Sequence, residues 1–414
     1  MSKQHGGGTM RSNGVRTWLI VTALLLVFVV PSHAATEILV GFDNQNWLDQ
    51  AGEFLEYFAE KYPDIKVNVT TGIDHENMLV MMAGGATPDV YYVRGTWSRG
   101  FIEQGFLEPL DPYIKASGFD LTDYNDVMLS AYQNEAGETY ALPTDLGLVF
   151  AYLNLDHLSQ AGLAFPDTDW TWDDAFGMAQ RLMQTDGDTI TRYGWGPGLG
   201  SSWQFEAKAV APWGGRLFND SETETWVTMP EALNGLSWWE NAMAIVPLGG
   251  DFTTGGGSIN FDGSWRITFL NQSIDNIDWD IAPMPRGPVM RATPTQGSAY
   301  GISPHSQNKD AAWTFISEFL GPVGQAMIWG VGSAPAARSA LPVFLENTLH
   351  GKNHAAVFEA FETVFLGRPI MPPGEGVFNQ GAGGPINAWV QGNISSQELA
   401  LQLKQVIESM WANR

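Results

Sequence analysis

The residues able to carry chemistry in this 414-residue sequence are scattered rather than grouped. It contains no Cys, which removes a thiolate nucleophile, a thiolate zinc site, a disulfide scaffold and a lipid-modified N-terminal cysteine at once. Beyond the first 34 residues the histidines are His75, His157, His305, His350 and His354, and none stands in an HExxH or other paired-ligand spacing. His350 and His354 are four apart, but Gly351 lies between them and no acidic residue is in register. They read as a solvated helix end rather than a metal pair. No Gly-x-Ser-x-Gly elbow, Walker loop or dinucleotide fingerprint occurs. Gly255-Gly256-Gly257 lacks the following helix that a phosphate cradle needs, so it reads as a loop. Among 45 Asp and Glu, chance carboxylate pairs are inevitable; a glycosidase-type acid and nucleophile stays open by count, yet nothing singles out two of them. What remains is an excess of tryptophan: 17 in a chain with only 16% charged residues. Indoles are large and carry a donor that needs a partner, so the question is what these rings face.

The elements that would position them alternate. Glu37–Phe42 reads as a buried strand, and Leu48, Ala51, Phe54, Leu55, Phe58, Ala59 and Tyr62 follow helical spacing up to Pro63. Ile65–Val69 alternates like a strand, Glu76–Ala83 is helical, and Asp89–Val93 is a strand again. Strand, helix, strand, helix, strand with short links predicts βαβ units on a parallel sheet, hence an α/β fold. Further helices are predicted over Trp172–Met183 and Asp310–Leu320, with a glycine-rich stretch at 194–202. At the end, Ser395 and Glu398 form a capping box that opens a helix burying Leu399, Leu403, Val406, Ile407 and Met410. The Gly- and Pro-rich run 367–385 is predicted to be irregular surface chain. Trp172 and Trp313 fall on apolar helix faces, at most one ring of Trp238-Trp239 can face a core, and Trp389 and Trp411 belong to C-terminal helices; these are read as packing.

Charge and the N-terminus narrow the setting. A formal charge of −24 argues against a nucleic-acid partner, because nothing would replace the phosphate counterions, and against docking on an anionic membrane surface. Residues 1–34 begin with Lys3, Arg11 and Arg16 and no acid. They continue through apolar Thr17–Val30, too short to span a bilayer, to Pro31 and Ser32-His33-Ala34. That order predicts a secretory signal peptide cleaved before Ala35, the alternative being an uncleaved anchor. Removal takes away three positive charges and moves the formal charge from −24 to −27. The expected protein is periplasmic or secreted and not a lipoprotein.

Several phrases, in order, resemble one family. Ala83-Gly84-Gly85-Ala86-Thr87-Pro88-Asp89-Val90 is similar to the AGTAPDV phrase of the extracellular solute-binding proteins of ABC importers, in the sugar-binding family that includes maltose-binding protein. After it come Gly137 to Asp145 (GETYALPTD), Tyr152-Leu153-Asn154 with Ala161-Gly162 and Pro166, and Trp170-Thr171-Trp172-Asp173-Asp174, which resembles a TW(D/E)E helix start. Gly263-Ser264-Trp265 resembles GSW/GPW, and Ile281-Ala282-Pro283-Met284-Pro285 resembles APMP. Gln296 to Ser303 and Ala311-Ala312-Trp313 with Phe315-Ile316 resemble a re-entry strand and its helix. Gly332 to Arg338 (GSAPAAR) resembles a second re-crossing. Two departures stand out: Leu153 is inserted into the usual YN pair, and Asn260-Phe261-Asp262 replaces an apolar run before GSW.

The resemblance implies an α/β periplasmic-binding-protein fold of two lobes, a hinge and an interlobe ligand cleft. One lobe would hold 36–144 plus 299–332, the other 145–298 plus 333–414. Closure of the lobes on a ligand follows from contacts that exist only in the shut form. It implies a monomeric receptor rather than an enzyme, without cofactor or metal, that delivers a carbohydrate to an ABC permease. A pyranose offers an apolar C–H face for rings and a rim of hydroxyls for Asp, Asn, Gln and Arg. By the resemblance Trp265 is the foremost stacking ring and Trp203 a second, each weighed against core packing. Trp97 and the Asn44-Gln45-Asn46-Trp47 run lie at carboxyl ends of strands, where open α/β sheets bind ligands; helix capping by Asn46 is the competing account. Asp145 on the first hinge crossing, Tyr300 at the later one and Arg338 at the last complete the expected ligand set, with turn stabilisation the alternative for Asp145. Other small solutes, a glycerophosphodiester or a polyamine, stay open at this stage, as does an exported carbohydrate-active hydrolase or lyase.

Overall fold

A computed structural model describes residues 35–197, 199, 202–274, 276–329, 333–366 and 374–412. The N-terminal 34 residues, on which the signal-peptide reading falls, lie outside the described residues. So do Gly332 and the side chain of Trp203.

The strands in chain order are Thr36–Gly41 (β1), Ile65–Thr70 (β2), Val90–Arg94 (β3), Ala141–Pro143 (β4), Asp145–Leu146 (β5), Val149–Asn154 (β6), Gln184–Asp186 (β7), Thr189–Trp195 (β8), Gly257–Gly263 (β9), Trp279–Ala282 (β10), Thr293–Thr295 (β11), Ser298–Ile302 (β12), Ala334–Pro335 (β13) and Val364–Leu366 (β14). They form two five-stranded sheets, ordered β2-β1-β3-β12-β4 and β10-β6-β9-β8-β7, together with two small pairs, β11-β14 and β13-β5. The βαβ prediction holds for the start of the first sheet, where β1 pairs in parallel with β2 and β3. The parallel prediction fails beyond it: β12 returns from late in the sequence and lies antiparallel between β3 and β4. A strand that arrives through another lobe needs no helical crossover and is free to take either direction.

The apolar periods place the helices where expected, with one break and one surprise. The run from 45 to 61 is two helices, Gln45–Gln50 and Gly52–Lys61, interrupted at Ala51. The stretch from 374 onward, expected to be irregular, is the helix Gly374–Val390 with Pro385 inside it. Its propensity is poor, but Phe378, Ala382 and Trp389 are fully buried. A Cβ added at Gly381 would stand 2.7 Å from Val406 of the neighbouring helix Ser396–Ala412. Small residues let the two helices approach closely, and tertiary packing overrides local preference. The predicted capping box is present: Ser395 N and Oγ both donate to Glu398 Oε2, and Glu398 N donates to Ser395 Oγ.

Two apolar cores form, the first covering the first sheet and one face of β6 and β10 in the second, the other on the opposite face of the second sheet. In the first, Ile38, Val40 and Phe42 meet Phe54, Phe58, Phe315 and Phe319, and the packing continues to Trp279, Phe344 and Phe361. In the second, Trp172, Trp195, Trp239 and Trp389 pack with Phe205 and Leu236. Trp172, Trp313 and Trp389 are thus core residues, as is Trp239, the one fully buried ring of the Trp238-Trp239 pair.

Asp89 of the phrase at 83–90 is a structural staple. Its carboxylate accepts from Leu39 N (2.8 Å) and Ser306 Oγ (2.5 Å), and its carbonyl accepts from Ser303 N (2.9 Å). Asp89→Ala leaves Leu39 N and Ser306 Oγ without their acceptor while the Ser303 bond to the carbonyl stays. It is expected to cost about 1–3 kcal/mol, read as a lowered urea midpoint with an unchanged slope.

Candidate functional site: a ring and a polar pocket beside the hinge

Three segments meet where the chain passes between the sheets. β5 pairs with β13, Ser298 N donates to Asp145 Oδ1 (3.2 Å), and Ser264 at the end of β9 binds both sides. Ser264 N donates to Leu148 O (2.7 Å), Ser264 Oγ donates to Leu146 O (3.3 Å), and Ala334 N donates to Ser264 Oγ (3.3 Å). The next residue opens the helix Trp265–Ser273. Its indole lies against two glycines: an added Cβ at Gly263 would stand 2.1 Å from Cζ3 and Cη2, and one at Gly147 would stand 3.1 Å from Cζ3. No other residue type leaves that space. Trp265 is nevertheless 44% exposed, so the ring is backed by main chain and open elsewhere. Gly147→Ala would also bring its Cβ to 2.6 Å from Gln296 O. That variant is expected to lose about 1–3 kcal/mol of stability by calorimetry, because a crossing strand has to shift.

Asp262 and Arg266, chain neighbours of Trp265, line a pocket of about 490 Å3 together with Lys208, Asp251, Phe252 and Asn260, among others; Trp265 itself is not part of that lining. Asp262 and Arg266 pair at 3.4 Å. Lys208, almost completely buried, donates to Gln204 Oε1 (2.6 Å) and Phe261 O (3.0 Å). Burial pushes its ammonium down to about 7, against the pull of Asp262. It sits in the widened helical turn Glu206–Val210, a local distortion that recurs at functional sites.

At the first sheet, rings gather at the carboxyl ends of β1 and β3. Tyr92 is at 6.0 Å from Trp47, 6.1 Å from Trp97 and 6.0 Å from Tyr300, all edge-to-face. Its hydroxyl pairs with Ser298 Oγ at 2.8 Å. Trp47 and Trp97 are half-buried, and Trp97 also packs edge-on to His75 and Phe101. Arg94 ends β3 exposed to solvent, near enough to Tyr92 and Asp145 to lower both groups against the larger effect of burial.

Several expected ligand residues have other partners. Asn44, not Asn46, caps the first helix, accepting from Trp47 N at 3.2 Å; Asn46 is exposed on that helix. Asp145 is 6% exposed, and its carboxyl is raised by burial while Thr144, Ser333 and Ser298 N bond to it. It locks the crossing rather than facing solvent. Tyr300 is fully buried between Phe42 and Phe319, and its hydroxyl has no partner among the described residues. Arg338 pairs with Glu362 and lies 4.6 Å from the Phe361 ring centroid. A ligand contact from Tyr300 would need the core to open, and one from Arg338 would need its ion pair to break. Sequence reasoning passed over Lys208, Asp262, Arg266 and Tyr92. The signal for Lys208 was a lone base in an apolar run, FEAKAVAPW, and for Asp262 the departure already noted before Trp265.

Residues 45–326 match the model of the bacterial extracellular solute-binding protein family. The chain belongs to that family. The match covers all of the second large sheet and every strand of the first except β1, and it includes Trp265, the β4–β5 segment and the return at Ser298. Membership of an extracellular family implies a periplasmic or secreted protein, and no helix among the described residues is long and apolar enough to cross a membrane. This solute-binding chain is 25% identical over 295 residues to a maltotriose-binding protein of Pyrococcus abyssi, covering 64% of this chain and 59% of that one. It is 28% identical over 143 residues to an arabinooligosaccharide-binding protein of Bacillus subtilis, covering 33% of this chain and 32% of that one. The chain therefore matches less than two thirds of either relative's length. Among solved structures it resembles the sugar-binding protein MalE from Xanthomonas citri, with TM-score 0.79, 21% identity and coverage of 92% and 98%. It also resembles a cyclic α-maltosyl-1,6-maltose binding protein from Arthrobacter globiformis, with TM-score 0.78, 17% identity and coverage of 92% and 100%. These likenesses establish the two-lobe solute-binding fold. Within it, Trp265 packs against Gly147 in the segment between β5 and β6, and the residues lining the pocket all lie between 197 and 266.

Proposed function

We propose that this protein is the substrate-binding component of an ABC importer and takes a mono- or oligosaccharide between its lobes. The observation that carries the reading is Trp265, a ring backed by Gly263 and Gly147 and 44% exposed, whose chain neighbours Asp262 and Arg266 line a pocket with Lys208 and Asn260. An open aromatic face next to donors and acceptors of both signs suits the C–H face and hydroxyl rim of a pyranose. The names of the curated relatives, which bind maltotriose and arabinooligosaccharide, point the same way.

In this reading 36–144 with 299–332 and 145–298 with 333–414 move about the Asp145, Ser298 and Ser333 crossings. Trp203, Trp97, Trp47, Asn44 and Asn46 are the further ligand candidates. The protein acts as a monomer, binds no nucleic acid, catalyses no reaction and hands its ligand to permease subunits. Residues 1–34 direct export and are removed, leaving no lipid anchor. Calorimetry over a panel of mono- and oligosaccharides is expected to give one-to-one binding with a thermal shift and no release of reducing sugar. A panel without heat or shift overturns the sugar reading, and reducing-sugar release overturns the receptor reading.

A further inference from the structure

The Lys208 ammonium is buried charged chemistry, and it lines the pocket that Asp251, Asn260, Asp262 and Arg266 share. An ammonium has three N–H donors. Two are placed, on Gln204 Oε1 (2.6 Å) and Phe261 O (3.0 Å). Both acceptors are neutral, so the charge is solvated by dipoles and by Asp262 on the adjoining strand, without a direct carboxylate partner. The helix Pro230–Ile245 packs on the same turn and presents no charge to it: Trp239 Nε1 donates to the Lys208 carbonyl at 3.0 Å. Glu206 on the same turn is taken by Arg216 Nε (3.1 Å) and Leu217 N (2.9 Å). The charged groups that share the pocket with Lys208 are therefore Asp262, Arg266 and Asp251.

We propose that Lys208 is a specificity-determining residue whose remaining N–H donates to a ligand oxygen in this pocket, with Asp262 and Arg266 on the same ligand edge, and that the ligand edge so gripped is uncharged and hydroxyl-bearing. This rests on the sugar reading above and narrows it. The pocket sets two carboxylates, Asp251 and Asp262, against two cations, Arg266 and Lys208. With the two signs in balance and Asp262 already paired to Arg266, an incoming uronate carboxylate gains no net attraction to offset its desolvation, whereas a hydroxyl both donates and accepts and suits either sign. A ligand that needs the third donor binds only the protonated lysine. Because burial holds that ammonium down to about 7 in the free protein, binding takes up a proton at neutral to alkaline pH. Affinity is then full well below pH 7, is halved at about pH 7 and falls further above it. The apparent Kd scales inversely with the protonated fraction, so it rises about 50-fold between pH 7 and pH 9.

The test takes a neutral sugar identified by the panel and measures binding to the full protein by calorimetry at pH 8 in two buffers of different ionisation enthalpy. Uptake of about one proton per ligand is expected. Lys208→Met is expected to retain one-to-one stoichiometry with weakened affinity and no proton uptake, and Lys208→Arg, permanently charged, to show no uptake and a flat pH profile. In wild-type protein carrying 13C-labelled lysine, one lysine should titrate near pH 7 and move upward with sugar bound, a readout that needs no variant to fold. Wild-type binding without proton uptake, uptake that persists in either variant, or a uronate-bearing analogue that binds more tightly than the neutral sugar each overturns this inference and leaves the sugar reading standing. The absence of any sugar binding overturns the sugar reading itself.

Discussion

Replacing Trp265 by alanine is expected to weaken sugar affinity by about 30- to 150-fold, the 2–3 kcal/mol of a central aromatic anchor, while changing folding stability by less than about 1 kcal/mol. The separation of the two effects follows from geometry. The indole is 44% exposed and rests on the glycine main chain at 147 and 263 rather than inside a side-chain core, so removing it leaves little cavity in the free protein. In the proposed complex the same removal takes away the foremost apolar face offered to the ligand. Trp265→Phe keeps a flat ring and is expected to recover most of the loss. Titration calorimetry gives the affinity and a thermal melt gives the stability. Unchanged affinity in Trp265→Ala, or a fall in stability with no fall in affinity, would show that the ring packs and does not bind.

The largest stability effect is expected at Trp239. It is fully buried, with ring centroids 5.0 Å from Trp172 and 5.3 Å from both Trp195 and Trp238. Its Nε1 donates to the Lys208 carbonyl at 3.0 Å. Trp239→Ala opens a cavity at the centre of the second core and removes a donor from the turn that carries Lys208. The expected cost is about 3–5 kcal/mol, with a Tm lowered by roughly 10 °C. Trp239→Phe fills part of the volume and should fall between the two. The turn at 206–210 also loses a fixed point, so sugar affinity in Trp239→Ala is expected to fall along with stability. That coupled loss contrasts with Trp265→Ala, and the pair of variants separates a ring that binds from a ring that supports.

The two tryptophans illustrate what linear sequence carries. Their residue type and their neighbours are equally visible, and Trp239 lies in an apolar helical period that already marks it as core. Trp265 follows Gly-Ser in a phrase that resembles the family's, and this raised it above the rest. Neither period nor phrase gives exposure, which depends on where Gly147, more than a hundred residues away, meets the ring.

The sequence by itself determined the α/β class, the opening strand–helix–strand order, the capped C-terminal helix and the membership of a solute-binding family. These depend on local periodicity and on short phrases whose order is preserved along the chain. Only the tertiary structure decided that β12 enters the first sheet antiparallel, that Gly374–Val390 is helical despite its glycines and proline, and that Asp145 and Tyr300 are buried. It alone brought Lys208 together with Asp262 and Arg266 around one pocket. Strand direction, close helix approach and burial of a polar group are set by contacts between residues far apart in the chain, and a polar residue's own neighbours carry no record of which distant carbonyl or carboxylate will face it.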